Sequence, residues 1–418
     1  METPRQKPLL SENSQQEFYF SCPSEFEDLL RNEIDEIIKV ENLKVSDIYT
    51  QRGGVSVFCG FADIIKISLH VRTASKVFWS AFKFKFRRED DLHKKALKLN
   101  WTKVLHSNLT LKIDTSLDSG AKSLFRNSHF LSLKLKDSIV DYYTKKNEPR
   151  PSIDLNKPDV QILNKITYKH NSTQAHILID LFGEPLSNRG YRQKGHEAPL
   201  RENLSAAIAK TISPQKDDCV IDSMCGSGTF LIESFLFTNG ISPKYLKLDN
   251  FLNDQEIWSF SKIPAISKNK SLLRQIKSYC QSLARDNIQR LHSAGKSKYY
   301  GHDISEQSVR LARETVQKAK LDKFISIEKI DATRLRPMHQ KGIIFCNPPY
   351  GERMGDVERL EQLYYDYGEN LKKHFKNFDA WIFTSKPELR KKISLRTSQR
   401  VKFYNGPMEC RLLQYKLY

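Results

Sequence analysis

From Cys219 to Thr384 short apolar runs alternate with stretches of helical periodicity. Strands alternating with helices are the pattern of an open parallel sheet, with the helices as crossovers between the strands. Four of the runs end in a carboxylate or an amide. Cys219–Asp222 runs into the turn Ser223-Met224-Cys225-Gly226-Ser227-Gly228-Thr229, with a helix from Phe230. Lys298–Asp303 precedes a helix over about 306–318, Ile325–Ile330 ends at Asp331-Ala332, and Gly342–Cys346 ends at Asn347. Helix 360–375, a strand at 380–384 and an antiparallel pair at 401–405 and 409–418 close the pattern. Ligands of such sheets bind outside the carboxyl ends of the strands. That edge gathers Asp222, Asp303, Asp331 and Asn347. An acid at the second strand tip is placed for the two hydroxyls of a ribose, and Asp331 for the amino group of an adenine. Glycines 226 and 228 allow positive φ and let a ligand lie against the backbone. The turn is neither a P-loop nor a three-glycine dinucleotide fingerprint.

The fourth strand stops at Asn347-Pro348-Pro349-Tyr350-Gly351-Glu352-Arg353. Neither proline donates a backbone hydrogen bond and both hold φ, so the chain leaves the sheet stiff and extended. The Asn347 amide oxygen and the Pro348 carbonyl are two acceptors, and Tyr350 is a flat ring. Together they suit a planar heterocycle with an exocyclic NH2 group. Accepting hydrogen bonds from that amine localises its lone pair as a bond to carbon forms. Cys346 lies within an apolar run with no neighbouring cation to lower its pKa, so it reads as a core thiol and not a nucleophile. Cys225 reads as packing.

Charge bears on the partner. The 418 residues carry a net charge of +19, which favours an anionic polymer. Between Asp63 and Arg150 there are 19 Lys/Arg against 9 Asp/Glu. The cations interleave with aromatics in Phe82-Lys83-Phe84-Lys85-Phe86-Arg87-Arg88 and in Phe125-Arg126. Alternation at Phe82, Phe84 and Phe86 describes a half-buried strand whose charged face is left outward as an RNA surface. Before it, 17–20 starts a strand and Ser24 caps a helix with Phe26, Leu29, Leu30, Ile34 and Ile37 on one face. Residues 1–16 read as a flexible arm, and 183–199 as a connector whose Arg189, Tyr191 and Arg192 are candidates to touch RNA. The lysine-rich insertion between Gly240 and Gly295 is expected to add basic surface. Seven scattered cysteines without C-x-x-C spacing, no opening signal-peptide pattern and no apolar run of about 20 residues point to a reducing cytoplasm. None of the 11 histidines has metal-ligand spacing, so no metal is expected.

These motifs, with Arg52-Gly53-Gly54-Val55, Ser128-His129 to Tyr143, Arg189-Gly190-Tyr191-Arg192 and Ala198-Pro199-Leu200-Arg201-Glu202-Asn203-Leu204, resemble the THUMP-domain, S-adenosylmethionine-dependent RNA methyltransferases. The likeness covers nearly the whole chain and is strongest to bacterial enzymes that make N2-methylguanosine in 23S ribosomal RNA. It implies an α/β chain: a ferredoxin-like unit over 17–60, a THUMP RNA-binding domain over 61–182, the linker 183–199, and a Rossmann-like class I methyltransferase with a mostly parallel seven-stranded sheet over 200–418. It implies that Asp222, Met224, Cys225, Gly226, Gly228, Thr229, Asp303, Ile304, Asp331, Ala332 and Asn347 line S-adenosyl-L-methionine. Asn347 and Pro348 would hold the target amine, Tyr350 would stack on a flipped base, Pro349 would complete the catalytic motif, and Arg353 would join the RNA contacts. The family usually has proline where Ser223 stands, which predicts a softer turn. The neighbouring readings are a tRNA guanine-N2-methyltransferase, a DNA adenine-N6-methyltransferase and a non-catalytic RNA-binding assembly factor.

Overall fold

A computed structural model describes residues 15–192, 200–255, 257–295, 298–349 and 356–418. Among them the chain builds two sheets. The C-terminal sheet has seven strands in the order Ile325–Lys329, Tyr299–Asp303, Val220–Asp222, Gly342–Cys346, Phe378–Thr384, Met408–Lys416, Gln399–Asn405. The first five are parallel and Met408–Lys416 runs antiparallel to both of its neighbours, the Rossmann-like arrangement expected. The strand order reverses at Val220–Asp222. Its neighbours put Asp222 level with Gly301 on one side and Phe345 on the other, so Asp303 and Asn347 flank it, each two residues further out at the same edge.

The N-terminal half forms a single eight-stranded sheet in the order Val45–Gln51, Gly54–Cys59, Gln16–Ser21, Lys76–Phe86, Ser172–Asp180, Val160–Lys169, Thr110–Leu117, Ser152–Ile153. Strand Lys76–Phe86 pairs with Gln16–Ser21 on one side and with Ser172–Asp180 on the other. The two N-terminal units therefore share backbone hydrogen bonds, and no linker separates them. The alternation at Phe82–Phe86 is a strand as expected: Phe86 is buried and stacks on Phe125 with ring centroids 5.5 Å apart. That stack brings the two basic-aromatic stretches together and leaves Lys83, Lys85, Arg87, Arg88 and Arg126 exposed.

Two expectations are corrected. The first helix runs Glu27–Val40 with Phe26 at its N-cap position and no side-chain cap; Ser24 does not cap it. Phe26 is fully buried against Phe403 of the other sheet, centroids 5.6 Å apart, so that end of the helix is fixed by inter-unit packing. The insertion between Gly240 and Gly295 is more than basic surface. Phe251, Trp258, Phe260, Ile266, Ile276 and Cys280 join the core of the N-terminal sheet. Trp258 stacks on Phe251 at 4.5 Å, and the Phe260 N–H donates to the Leu181 carbonyl at 2.6 Å. Tyr279, on the helix Lys270–His292, donates to Glu41 at 2.7 Å. The insertion is a brace between the two halves.

Candidate active site

One cavity of about 480 Å³ lies along the carboxyl edge of the parallel strands, within the usual range for small-ligand sites. Asp222, Met224, Cys225, Gly226, Thr229, Asp303, Ile304, Asp331, Ala332, Asn347 and Pro349 all line it. Gly228 and Pro348 do not. Gly228 begins the helix Thr229–Thr238 at φ 74°, with Ala312 and Val316 against it, so it shapes the turn from behind. Pro348 is buried next to the lining. Tyr350 and Arg353 lie outside the described residues. Leu200, Ser223, Ser227, Phe230, Ser308, Leu311, Phe345 and Leu363 also form the wall. The apolar ones, Leu200, Phe230, Leu311, Phe345 and Leu363, carry no signal in sequence apart from that of a core; Ser223 and Ser227 lie within the glycine turn already singled out, and Ser308, on the helix that follows Asp303, carries no distinguishing pattern.

The carboxylates are held in place by backbone. Asp303 accepts the Gly226 N–H at 3.0 Å on one oxygen and the Ser305 N–H at 2.9 Å on the other. It thereby clamps the glycine turn to the second strand. Each oxygen keeps a further lone pair for a ligand hydroxyl. The Asp331 Oδ1 accepts from the Thr333 N–H at 2.9 Å and from the Thr333 hydroxyl at 2.8 Å, so both bonds fall on one oxygen. Asp222 is 2% exposed, and burial pushes its carboxyl well above the usual carboxylate range, with Asp303 adding to the rise. Beside Asp303, Ile304 is 67% exposed, an apolar side chain held at a cavity mouth. The floor is Phe230 stacked on Phe345 at 3.9 Å.

Ser223 does not soften its turn. Its N–H and its hydroxyl both donate to the Phe345 carbonyl, at 3.0 and 3.1 Å, and its hydroxyl lies 2.8 Å from that of buried Tyr367. The glycine turn is thus bolted to the strand that carries Asn347. Ser223→Ala would strip Tyr367 of that partner inside the core. The expected loss is about 1–3 kcal/mol in urea unfolding, against a few tenths if the hydroxyl were idle.

Cys346 is fully buried and burial pushes its thiol up; Cys225, within the turn, is shifted the same way by burial and by Asp222 and Asp303. Neither is poised as a thiolate. Among the described residues no group of three or more His, Cys, Asp or Glu side chains is arranged to hold a metal ion, and no helix is long and apolar enough to cross a membrane.

The structure overturns two of the expected RNA contacts. Arg189 and Tyr191 are buried, at 0% and 1% exposure. The Tyr191 hydroxyl donates to Glu233 at 2.6 Å, and Arg189 donates to Glu233 at 3.4 Å, to the Arg72 carbonyl at 2.7 Å and to the Leu186 carbonyl at 2.6 Å. Burial of Glu233 on helix Thr229–Thr238 demands these partners. Arg192 is exposed but pairs with Glu202 at 2.9 Å.

The profile of an RMKL-like methyltransferase domain matches residues 189–414. The chain belongs to that family. A THUMP domain matches 86–170 and an RlmL ferredoxin-like domain 17–78, the two meeting at the shared strand Lys76–Phe86. Among curated proteins, the ribosomal RNA large subunit methyltransferase K/L of Syntrophotalea carbinolica is 32% identical over 96% of this chain and 53% of its own length. That of Saccharophagus degradans is 31% identical over 97% and 51%. The chain spans about half the length of these curated relatives. Among solved structures, a methyltransferase complexed with SAH matches with TM-score 0.78 at 22% identity, over 97% of this chain and 99% of its own. TrmN from Thermus thermophilus matches with TM-score 0.64 at 18% identity, over 96% and 100%. At these identities the structures speak to the fold alone.

Proposed function

We propose that the chain is an S-adenosylmethionine-dependent RNA methyltransferase acting on the exocyclic N2 amine of a guanosine in large-subunit ribosomal RNA, and so working in the cytoplasm. The observation that carries this reading is the shared cavity: Asn347 and Pro349 border the same space as Gly226, Asp303 and Asp331. The names of the curated relatives favour ribosomal RNA over tRNA or DNA.

The residues fit the cofactor. Asp303, fixed by two backbone donors and with lone pairs to spare, suits the ribose hydroxyls. Asp331 keeps one oxygen clear of its own turn for an adenine amino group. Exposed Ile304 between them offers an apolar face to the ring. When bound, S-adenosylmethionine supplies an electrophilic methyl group on a sulfonium. The chain supplies alignment. The Asn347 amide oxygen and the Pro348 carbonyl accept from the target amine and orient its lone pair, and Tyr350 stacks on the extruded base. Holding reactants in line is worth about 7–11 kcal/mol in favourable cases, and stacking about 1–3 kcal/mol towards extrusion. The amine sheds its proton after attack, so no strong base is required.

Two measurements test this. Labelled methyl transfer to undermodified large-subunit RNA, tRNA and duplex DNA should give N2-methylguanosine in the first; product in duplex DNA alone would overturn the assignment. Asp303→Asn should weaken S-adenosylmethionine binding by calorimetry about 10- to 100-fold, as expected for loss of a charged hydrogen-bond acceptor. Unchanged affinity would remove Asp303 from the cofactor site.

A further inference from the structure

A second hollow, of about 450 Å³, lies at the other end of the C-terminal sheet, lined by Glu388, Arg390, Lys391, Arg400, Arg411 and Leu413. Register places it. Cys346 pairs with Ile382, Ile382 with Leu413, and Leu413 with Arg400; Arg411 pairs with Thr384, two residues further along. Neighbouring strands lie about 4.8 Å apart, so Arg411 and Arg400 stand roughly 10 and 14 Å along the sheet from the strand that delivers Asn347. Arg411 is level with Pro348.

Four cations against the single carboxylate of Glu388 on the same wall leave this hollow with a positive excess that favours entry of an anion. Arg411 is paired with Glu409 at 2.6 Å. Among the described residues, no carboxylate comes within ion-pairing distance of Arg390, Lys391 or Arg400; Arg400 donates only to the Thr397 hydroxyl, at 2.9 Å. Below them the Tyr415 side chain is fully buried and its hydroxyl has no partner, although Arg390 and Arg400 lie close enough to bias its titration. Buried hydroxyls are rarely left so. The mount is firm: a Cβ on Gly368 would come 2.5 Å from the Ile393 carbonyl oxygen, so the short helix Arg390–Ile393 sits directly on the helix Asp356–His374.

We propose that Arg390, Lys391 and Arg400 bind the phosphodiester backbone of the RNA strand beside the target nucleotide, within the methyltransferase domain itself. Arg400, about 14 Å across the sheet from the strand that delivers Asn347, is within reach of a phosphate about two nucleotides from an extruded base, and Arg390 and Lys391 line the same hollow. This rests on the RNA reading of the substrate, yet its test needs no turnover. The full chain and its triple variant Arg390→Gln/Lys391→Gln/Arg400→Gln are titrated by fluorescence anisotropy with a fluorescein-labelled single-stranded RNA across a series of KCl concentrations. A control, Lys268→Gln/Lys270→Gln/Arg274→Gln, removes the same charge from the exposed insertion. The triple variant should bind about tenfold more weakly, with the slope of log K against log salt reduced by about two, at roughly 0.7 per lost phosphate contact. The control should change neither by as much, and both should bind S-adenosylhomocysteine as the unaltered chain does. Equal losses in triple variant and control, or none in the triple variant, overturn the proposal. If the unaltered chain binds RNA but methylates none, the enzymatic reading fails, and the anisotropy series still decides the docking site.

Discussion

Asn347→Ala should lower kcat for RNA methylation by about 10²–10³ and leave the rise in melting temperature on adding S-adenosylhomocysteine in place. The strand Gly342–Cys346 and the two prolines hold this backbone whatever the side chain at 347, so the substitution removes the amide acceptor and leaves the exit of the chain from the sheet in place. The cofactor contacts assigned to Asp303 and Asp331 come from other strands. A fixed dipole aimed at a developing charge is worth that factor because it costs no reorganisation at the moment of reaction. Asn347→Asp keeps an acceptor and should retain more activity than the alanine variant. Single-turnover transfer of labelled methyl measures both. A turnover within a few-fold of the unaltered chain for Asn347→Ala would remove the catalytic assignment.

Arg189→Met should be the most damaging single change to stability, at about 3–5 kcal/mol and roughly 10 °C in the first thermal transition. Arg189 and Glu233 are both fully buried, and Tyr191 shares the same carboxylate oxygen. Around them, Glu33 accepts from the Arg72 and Thr73 N–H groups at 3.0 and 3.1 Å, and Arg72 donates to the Ile241 and Leu236 carbonyls. The network therefore ties the N-terminal sheet, the connector and the methyltransferase domain together. Removing one cation strands a carboxylate in low dielectric. Arg189→Met combined with Glu233→Leu and Tyr191→Phe removes the stranded carboxylate and its hydroxyl donor together with the cation, and should cost less than Arg189→Met alone. Arg189→Met that melts like the unaltered chain but loses RNA affinity would restore a surface role for this residue.

The cavity at the carboxyl edge of the sheet was legible because it depends on local order. A strand end, a glycine turn and an acid at each successive tip are neighbours in sequence, and parallel pairing leaves them no other edge to share. The rest of the cavity wall was not. Leu200, Leu311 and Leu363 come from three separate helices or their approaches, and an apolar residue facing a cavity is written like one facing a core. The connector shows the converse. Arg189 and Tyr191 read as ligands for a polyanion because charge and aromaticity are the signature of an RNA surface. A buried ion pair uses the same residue types, and only the position of Glu233 across 44 residues separates the two meanings. The insertion was obscure for a similar reason: Trp258, Phe260 and Ile276 are spread through polar sequence, and their common core lies on another part of the chain.

By itself the amino-acid sequence determined the parallel α/β sheet, the rigid exit of the chain at Asn347-Pro348-Pro349, the exposed cations along Lys83–Arg88 and the four polar strand tips. Each is set by hydrogen-bond chemistry or periodicity over a few adjacent residues. Tertiary structure alone decided that the two N-terminal units share one sheet, that the insertion braces the halves, that Ser223 bolts the glycine turn to the Asn347 strand, and that Arg189 turns inward. These depend on partners tens to hundreds of residues away, whose approach is driven by burial of apolar surface and by the need of each buried charge for a counter-group.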